Sequence, residues 1–164
     1  MDRDTLLAMM EMVRQRLLGS LAAIESSGLD LAKVLAWRPG PGRAHIAWQA
    51  MHCAATHDKY LAVNIKGLPA PADPKLVAGF GGGSTPSDQN IPSLAAIRQA
   101  LDVHYRAFRA YLSELAPADL QRQVGPPDRR RTIAESAMLM AWHEAHHQGQ
   151  IHLTWNLYRA AHGL

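Results

Sequence analysis

The stretch Trp142-His143-Glu144-Ala145-His146-His147-Gln148-Gly149-Gln150-Ile151 holds three of the chain's nine histidines. Apolar residues continue at helical spacing on both sides of it, so it reads as the middle of an amphipathic helix. Residues four apart share a helix face. His143 and His147 therefore project side by side, about 40° apart, with His146 about 60° away from His143 on the other side. Two imidazoles so placed can share one metal ion. The competing reading is a polar patch on a surface helix.

Working outward, Thr132-Ile133-Ala134-Glu135 fits the S/T-x-x-E capping box that opens this helix, and the periodicity carries it to about Arg159. Gly149 inside it costs roughly 1 kcal/mol against Ala, which predicts close packing or a bend at that point. Upstream, residues 2–25 repeat apolar side chains at three- and four-residue steps through Leu6, Met9, Met10, Val13, Leu17, Leu21 and Ile24. A connection ending in Arg38-Pro39-Gly40-Pro41-Gly42 precedes a second helix over residues 43–65. Ser93 caps a third, with Leu94, Ile97, Leu101, His104, Phe108 and Leu112 on its inner stripe. Residues 67–92, rich in Gly and Pro, show neither helical nor strand period and read as a long crossover. Four amphipathic helices and no credible strand give the fold class: all-α, a four-helix bundle with a long crossover between helices two and three, forming one domain over residues 1–164.

Composition narrows the function. With 48% apolar and 19% charged residues the chain is globular. No apolar run reaches membrane-span length, and the opening MDRDTLL lacks the basic-then-apolar order of a signal peptide. A single cysteine, Cys53, excludes an internal disulfide and fits a reducing cytoplasm; beside His52 in sequence but about 100° away, it reads as a small buried hydrophobe. The net charge of +3 is mild and no basic stripe with interleaved aromatics appears, so neither nucleic acid nor membrane is an expected partner.

Two histidines hold a metal poorly, and a catalytic site wants three protein ligands with an open position. His52, mid-helix on a face shared with His45, Thr56, Lys59 and Val63, is one candidate for the third. His45 lies about 10 Å along the axis from it, and His57 points about 140° away. His104, in the apolar stripe of helix three, is the rival: a core-edge residue bonded to a carbonyl, or a side chain supporting the ligands.

Arg43 to Leu61, RAHIAWQAMHCAATHDKYL, together with HEAHHQGQI, resembles the DinB/YfiT-like superfamily of metal-binding four-helix bundles. The resemblance implies that His52, His143 and His147 are the three ligands, with Gly149, Gln150 and Ile151 closing the helix-four motif. Gln148 stands where an Arg is common. It also implies a divalent ion (zinc or nickel) and a small-molecule substrate. A low-molecular-weight thiol such as bacillithiol or mycothiol is the implied co-substrate in transferase chemistry, and the implied assembly is a homodimer. Metal-assisted hydrolysis is the close alternative, and a non-catalytic stress-related bundle is a third reading. Trp48, His104, Glu144 and Gln150 are the candidates for side chains beside the ligands or lining a pocket.

His143-Glu144-Ala145-His146-His147 also satisfies H-E-x-x-H, the zinc-protease motif in which the Glu is a general base. No Asp or Glu follows Glu144, and Gln150 and Leu153 stand where the extended motif needs Gly and His. Glu144 is therefore expected to face solvent or flank the ligands. Arg129-Arg130-Arg131 reads as a solvated turn; a grip on an acidic co-substrate is the alternative, but Thr132 to His143 spans about 16 Å of helix, which argues against direct contact with a small metal-bound ligand. Trp142 and Trp155 read as packing residues.

Overall fold

A computed structural model describes residues 1–164. Four long helices, α1 (Arg3–Glu25), α3 (Ile46–Lys59), α5 (Leu94–Ser113) and α6 (Ile133–Ala161), form the bundle. Two short helices, α2 (Leu31–Ala36) and α4 (Pro74–Phe80), sit in the connections, and β1 (Gln123–Val124) pairs antiparallel with β2 (Arg131–Thr132). The fold is all-α, as the periodicity predicts, and no helix is long and apolar enough to cross a membrane.

Local chemistry sets the helix starts. Asp2, Asp30, Asp73 and Ser93 each accept a backbone N–H from the first turn they open. Thr132 and Glu135 form the expected reciprocal capping box. α3 begins three residues later than its periodicity suggests, because His45 is its cap: Nδ1 accepts from the Trp48 N–H at 3.0 Å. Past Lys59 the helix widens into a π-helical turn, Tyr60–Ile65.

Residues 67–92 do cross over, but they are not structureless. Asp73 caps α4, and Pro74 at its first turn gives up no needed donor. The crossover is tied to α3 in reverse order. Asp58 accepts from the Ala72 and Asp73 N–H groups at 3.0 and 2.7 Å; His52 Nδ1 meets the Phe80 carbonyl at 2.5 Å; His45 Nε2 meets the Ser87 carbonyl at 2.9 Å. The chain thus returns along α3 and delivers α5 parallel to it. Arg14 to Glu144 and Ser20 to Gln148 set α1 parallel to α6. Gln49 to His147 and His52 to His143 set α3 antiparallel to α6.

The core is split. One apolar cluster contains Leu17, Leu21, Ala50, Ile97, Leu101 and Ile151; the other contains Leu6, Met10, Phe108, Leu112, Ile133 and Met140. Between them every long helix contributes buried polar side chains: Arg14, His52, His57, Asp58, His104, Glu144 and His147.

Two sequence expectations fail here. Gly149 marks no close approach: an added Cβ would meet nothing within 4 Å, and α6 continues past it without a break. Trp142 does not pack in the core; it is 60% exposed and stacks on His146, whereas Trp155 is buried.

Candidate metal centre

His52 from α3 and His143 and His147 from α6 converge where these helices cross. One ring nitrogen from each lies within 4.8 Å of the others, and the Nε2 atoms of His52 and His143 stand 3.1 Å apart. Two nitrogens on one tetrahedral zinc are separated by about 3.3 Å, so the spacing suits a shared ion. Burial holds all three imidazoles below their ordinary pKa. For His147 the value falls to about 3 and for His143 to about 4, with the neighbouring rings adding to the effect of burial. They are therefore neutral at pH 7, the form that donates a lone pair to a metal.

The other ring nitrogens fix the orientation. His52 Nδ1–H donates to the Phe80 carbonyl, and His147 Nδ1–H donates to Gln49 Oε1, which leaves each Nε2 free to ligate. Trp48 stacks flat on His52, with ring centroids 4.6 Å apart. Gly81, just after Phe80, must be glycine: a Cβ there would lie 2.5 Å from the Val77 carbonyl oxygen. The donor set thus fits a divalent ion with three imidazole ligands.

The remaining sequence candidates lie apart from the three nitrogens. His104 Nδ1 is 3.8 Å from Asp58 Oδ1. Gln150 bonds to His146 on the outer side of α6. Glu144 neither faces solvent nor approaches the ligands; it is 2% exposed and accepts from Arg14 Nη2 at 2.8 Å, with His57 Nε2 at 3.7 Å. Burial pushes its carboxyl up to about 7, with the Arg14 guanidinium pulling the other way. Gln49 escaped the sequence reading, although it lies three residues before His52 and so shares its side of the helix.

A cleft of about 760 Å³ opens from His52 and His143 along α3 to the loop before β2. The π-helical turn supplies Tyr60, Val63 and Asn64 to one wall, and Gly81 and Gly82 of the crossover supply another. Arg129 and Arg131 line it as well, so the run 129–131 is not simply a solvated turn.

The family model of the DinB superfamily matches residues 9–151, from the first helix through the end of the helix-six motif. The chain belongs to the DinB superfamily. No curated protein matches it. Within this DinB protein the helix-six motif supplies His143 to the cleft, His147 to the ligand cluster behind it, and Glu144 to the interior.

Proposed function

We propose that this single-domain DinB protein is a metal-dependent enzyme acting on small molecules, with His52, His143 and His147 holding a divalent ion, zinc or nickel. The carrying observation is the convergence of three neutral imidazoles, two of which, His52 and His143, line a substrate-sized cleft. When bound, the ion would lower the pKa of a low-molecular-weight thiol or a water. The protein's part is to orient the ligands through Gln49 and the Phe80 carbonyl, and to seat the substrate between α3, α6 and the crossover.

The cleft favours thiol transfer over hydrolysis. Its lining contains no Asp or Glu, and Glu144 is committed to Arg14, so no carboxylate stands ready to take a proton from a water. The buried Cys53, whose thiol is pushed well above its usual range by burial, supplies no competing nucleophile and is consistent with a cytoplasmic setting. A homodimer is part of the proposal: Met138, Trp142, Leu153 and Leu157 leave an exposed apolar stripe along α6. Sedimentation of the wild type and Trp142→Glu checks it, with a monomeric wild type counting against it.

The test of the reaction class is a titration of the cobalt-substituted protein with bacillithiol, mycothiol and glutathione. Saturable sulfur-to-cobalt charge-transfer absorption, retained in Cys53→Ser and absent in His147→Ala, supports the thiol reading. A spectrum indifferent to every thiol, in protein that binds one cobalt per chain, rejects it.

A further inference from the structure

The same cleft is electrically one-sided. Besides the two histidines its ionisable cations are Lys59, Arg129 and Arg131, and no carboxylate lines it. Lys59 and Arg131 take part in no ion pair, and Arg129 meets only its exposed sequence neighbour Asp128, at 3.1 Å. Arg131 is half-buried, and its side chain donates no hydrogen bond to the protein. A guanidinium partly withdrawn from water and left without a partner is stabilised by an anion that enters beside it.

The placement of these cations is built, not incidental. The β1–β2 ribbon, with Gln123 opposite Thr132 and Val124 opposite Arg131, folds residues 125–130 into a loop. Gly125, at φ 90°, donates its N–H to the Asn64 carbonyl at 2.8 Å and so fastens that loop to the π-helical wall. A side chain there would face both the positive φ and the Arg129 carbonyl, 3.3 Å from the added Cβ. Lys59 approaches from the other wall, on the His52 face of α3, seven residues on and about 10 Å along the axis. Thr132 to His143 covers about 16 Å on α6, so the cations stand away from the ligand nitrogens. Val63, Leu68 and Leu139 line the cleft as well.

We propose that the cleft takes an elongated ligand with its reacting end at the three histidines and a carboxylate or phosphate held by Lys59, Arg129 and Arg131. This rests on the reading of the three histidines as the ion site. The rise of about 16 Å along α6, less the reach of an arginine side chain, and the rise of about 10 Å along α3 to Lys59 together set the ligand's length: the anion belongs at the far end of a chain about 10 Å long. A cationic far end is disfavoured, because it would enter beside three positive charges with no carboxylate to meet it, and a neutral one would leave those charges without a counter-ion.

The probes are a graded series of ω-carboxyalkyl hydroxamates, the matching methyl esters and the matching ω-phosphonates, titrated by calorimetry into zinc-loaded and metal-free protein. The hydroxamate reports the ion site and the far end reports the cations. We expect the longer acids to bind the loaded protein about tenfold tighter than their esters, and short acids to show no such preference. Arg131→Ala should erase the preference without weakening the ester, and Arg131→Lys should restore most of it, with thermal melts showing both variants folded. The ratio of phosphonate to carboxylate affinity distinguishes the two anions. Acid and ester binding equally at every length overturns the anion site while metal-dependent hydroxamate binding leaves the ion reading intact. Hydroxamate binding that is indifferent to zinc overturns the ion reading instead. The acid-to-ester ratio on the metal-free protein then decides the anion site by itself.

Discussion

Two polar clusters sit at the same level of the bundle, on different faces of the same two helices. His52 of α3 and His143 of α6 open onto the cleft with His147 of α6 beside them; His57 of α3 with Glu144 of α6 close around Arg14 of α1. The first consists of neutral imidazoles with one ring nitrogen of each within 4.8 Å of the others and no charged protein group among them. The second contains a donor and an acceptor of opposite charge already in contact at 2.8 Å, although Arg14 Nε and Nη1 and Glu144 Oε1 remain unpartnered. One residue along α6, about 100°, separates a group awaiting a ligand from a group that serves the fold. A histidine-rich motif therefore does not make every ionisable residue within it part of the chemistry.

The comparison breaks most visibly at Glu144. Glu144→Ala leaves the Arg14 charge buried and should cost about 3–5 kcal/mol, a Tm drop on the order of 10 °C by thermal melt, with zinc per folded chain unchanged. A variant that instead loses zinc and keeps its Tm would move Glu144 into the metal centre.

The next effect lies on the other cluster. His52→Ala should weaken zinc more than about a hundredfold in chelator competition, beyond the loss typical of a supporting hydrogen bond, and should remove the stabilisation that zinc confers. His57→Ala should leave zinc affinity nearly unchanged. Equal affinities in the two variants would refute the ligand assignment. Gln49→Ala sharpens the point, since only the orientation of His147 is lost; zinc affinity should fall about 10- to 100-fold by the same competition.

Acid provides a gentler probe. His45, His52, His57, His143 and His147 all have folded-state pKa values below the ordinary 6.5. The unfolded chain therefore binds more protons below about pH 6.5, and stability falls as pH drops from there towards the folded values. Glu144, raised from 4.5 to about 7, works oppositely between those pH values, but it is one group against five. The Tm of metal-free protein should fall by several degrees between pH 7 and 5.5. A rise over that interval would mean that the carboxyl dominates. Smallest is Gly149→Ala, which meets nothing and sits in a helix interior; it should stabilise by about 0.5–1 kcal/mol, read from denaturant midpoints.

The four long helices were legible because apolar side chains recur at helical steps and capping residues mark most of their starts. Arg14 was not: it replaces an apolar residue in the inner stripe of α1, and only the arrival of Glu144 from α6 gives it a reason to be there. The convergence of the three histidines followed from four-residue spacing on one helix plus a resemblance for the second. Gln49 left too general a signal, since an amide three residues from a histidine is commonplace. The short helix α4 lay hidden in a stretch dominated by Pro and Gly. Lys59 was visible on the His52 face, but Arg129 and Arg131 reach the cleft through a main-chain bond, Gly125 to Asn64, that no side chain advertises.

The reverse ties between crossover and α3 set limits on chain length. Asp58, His52 and His45 lie six and seven residues apart, and their partners Asp73, Phe80 and Ser87 are each seven apart, one piece of chain measured against another. One residue inserted between Asp73 and Phe80 would shift the carbonyl that steadies His52. The same insertion at residues 68–71, ahead of the first tie, would be absorbed as slack. Relatives of this chain should differ freely in length before Asp73 and hardly at all between Asp73 and Ser87.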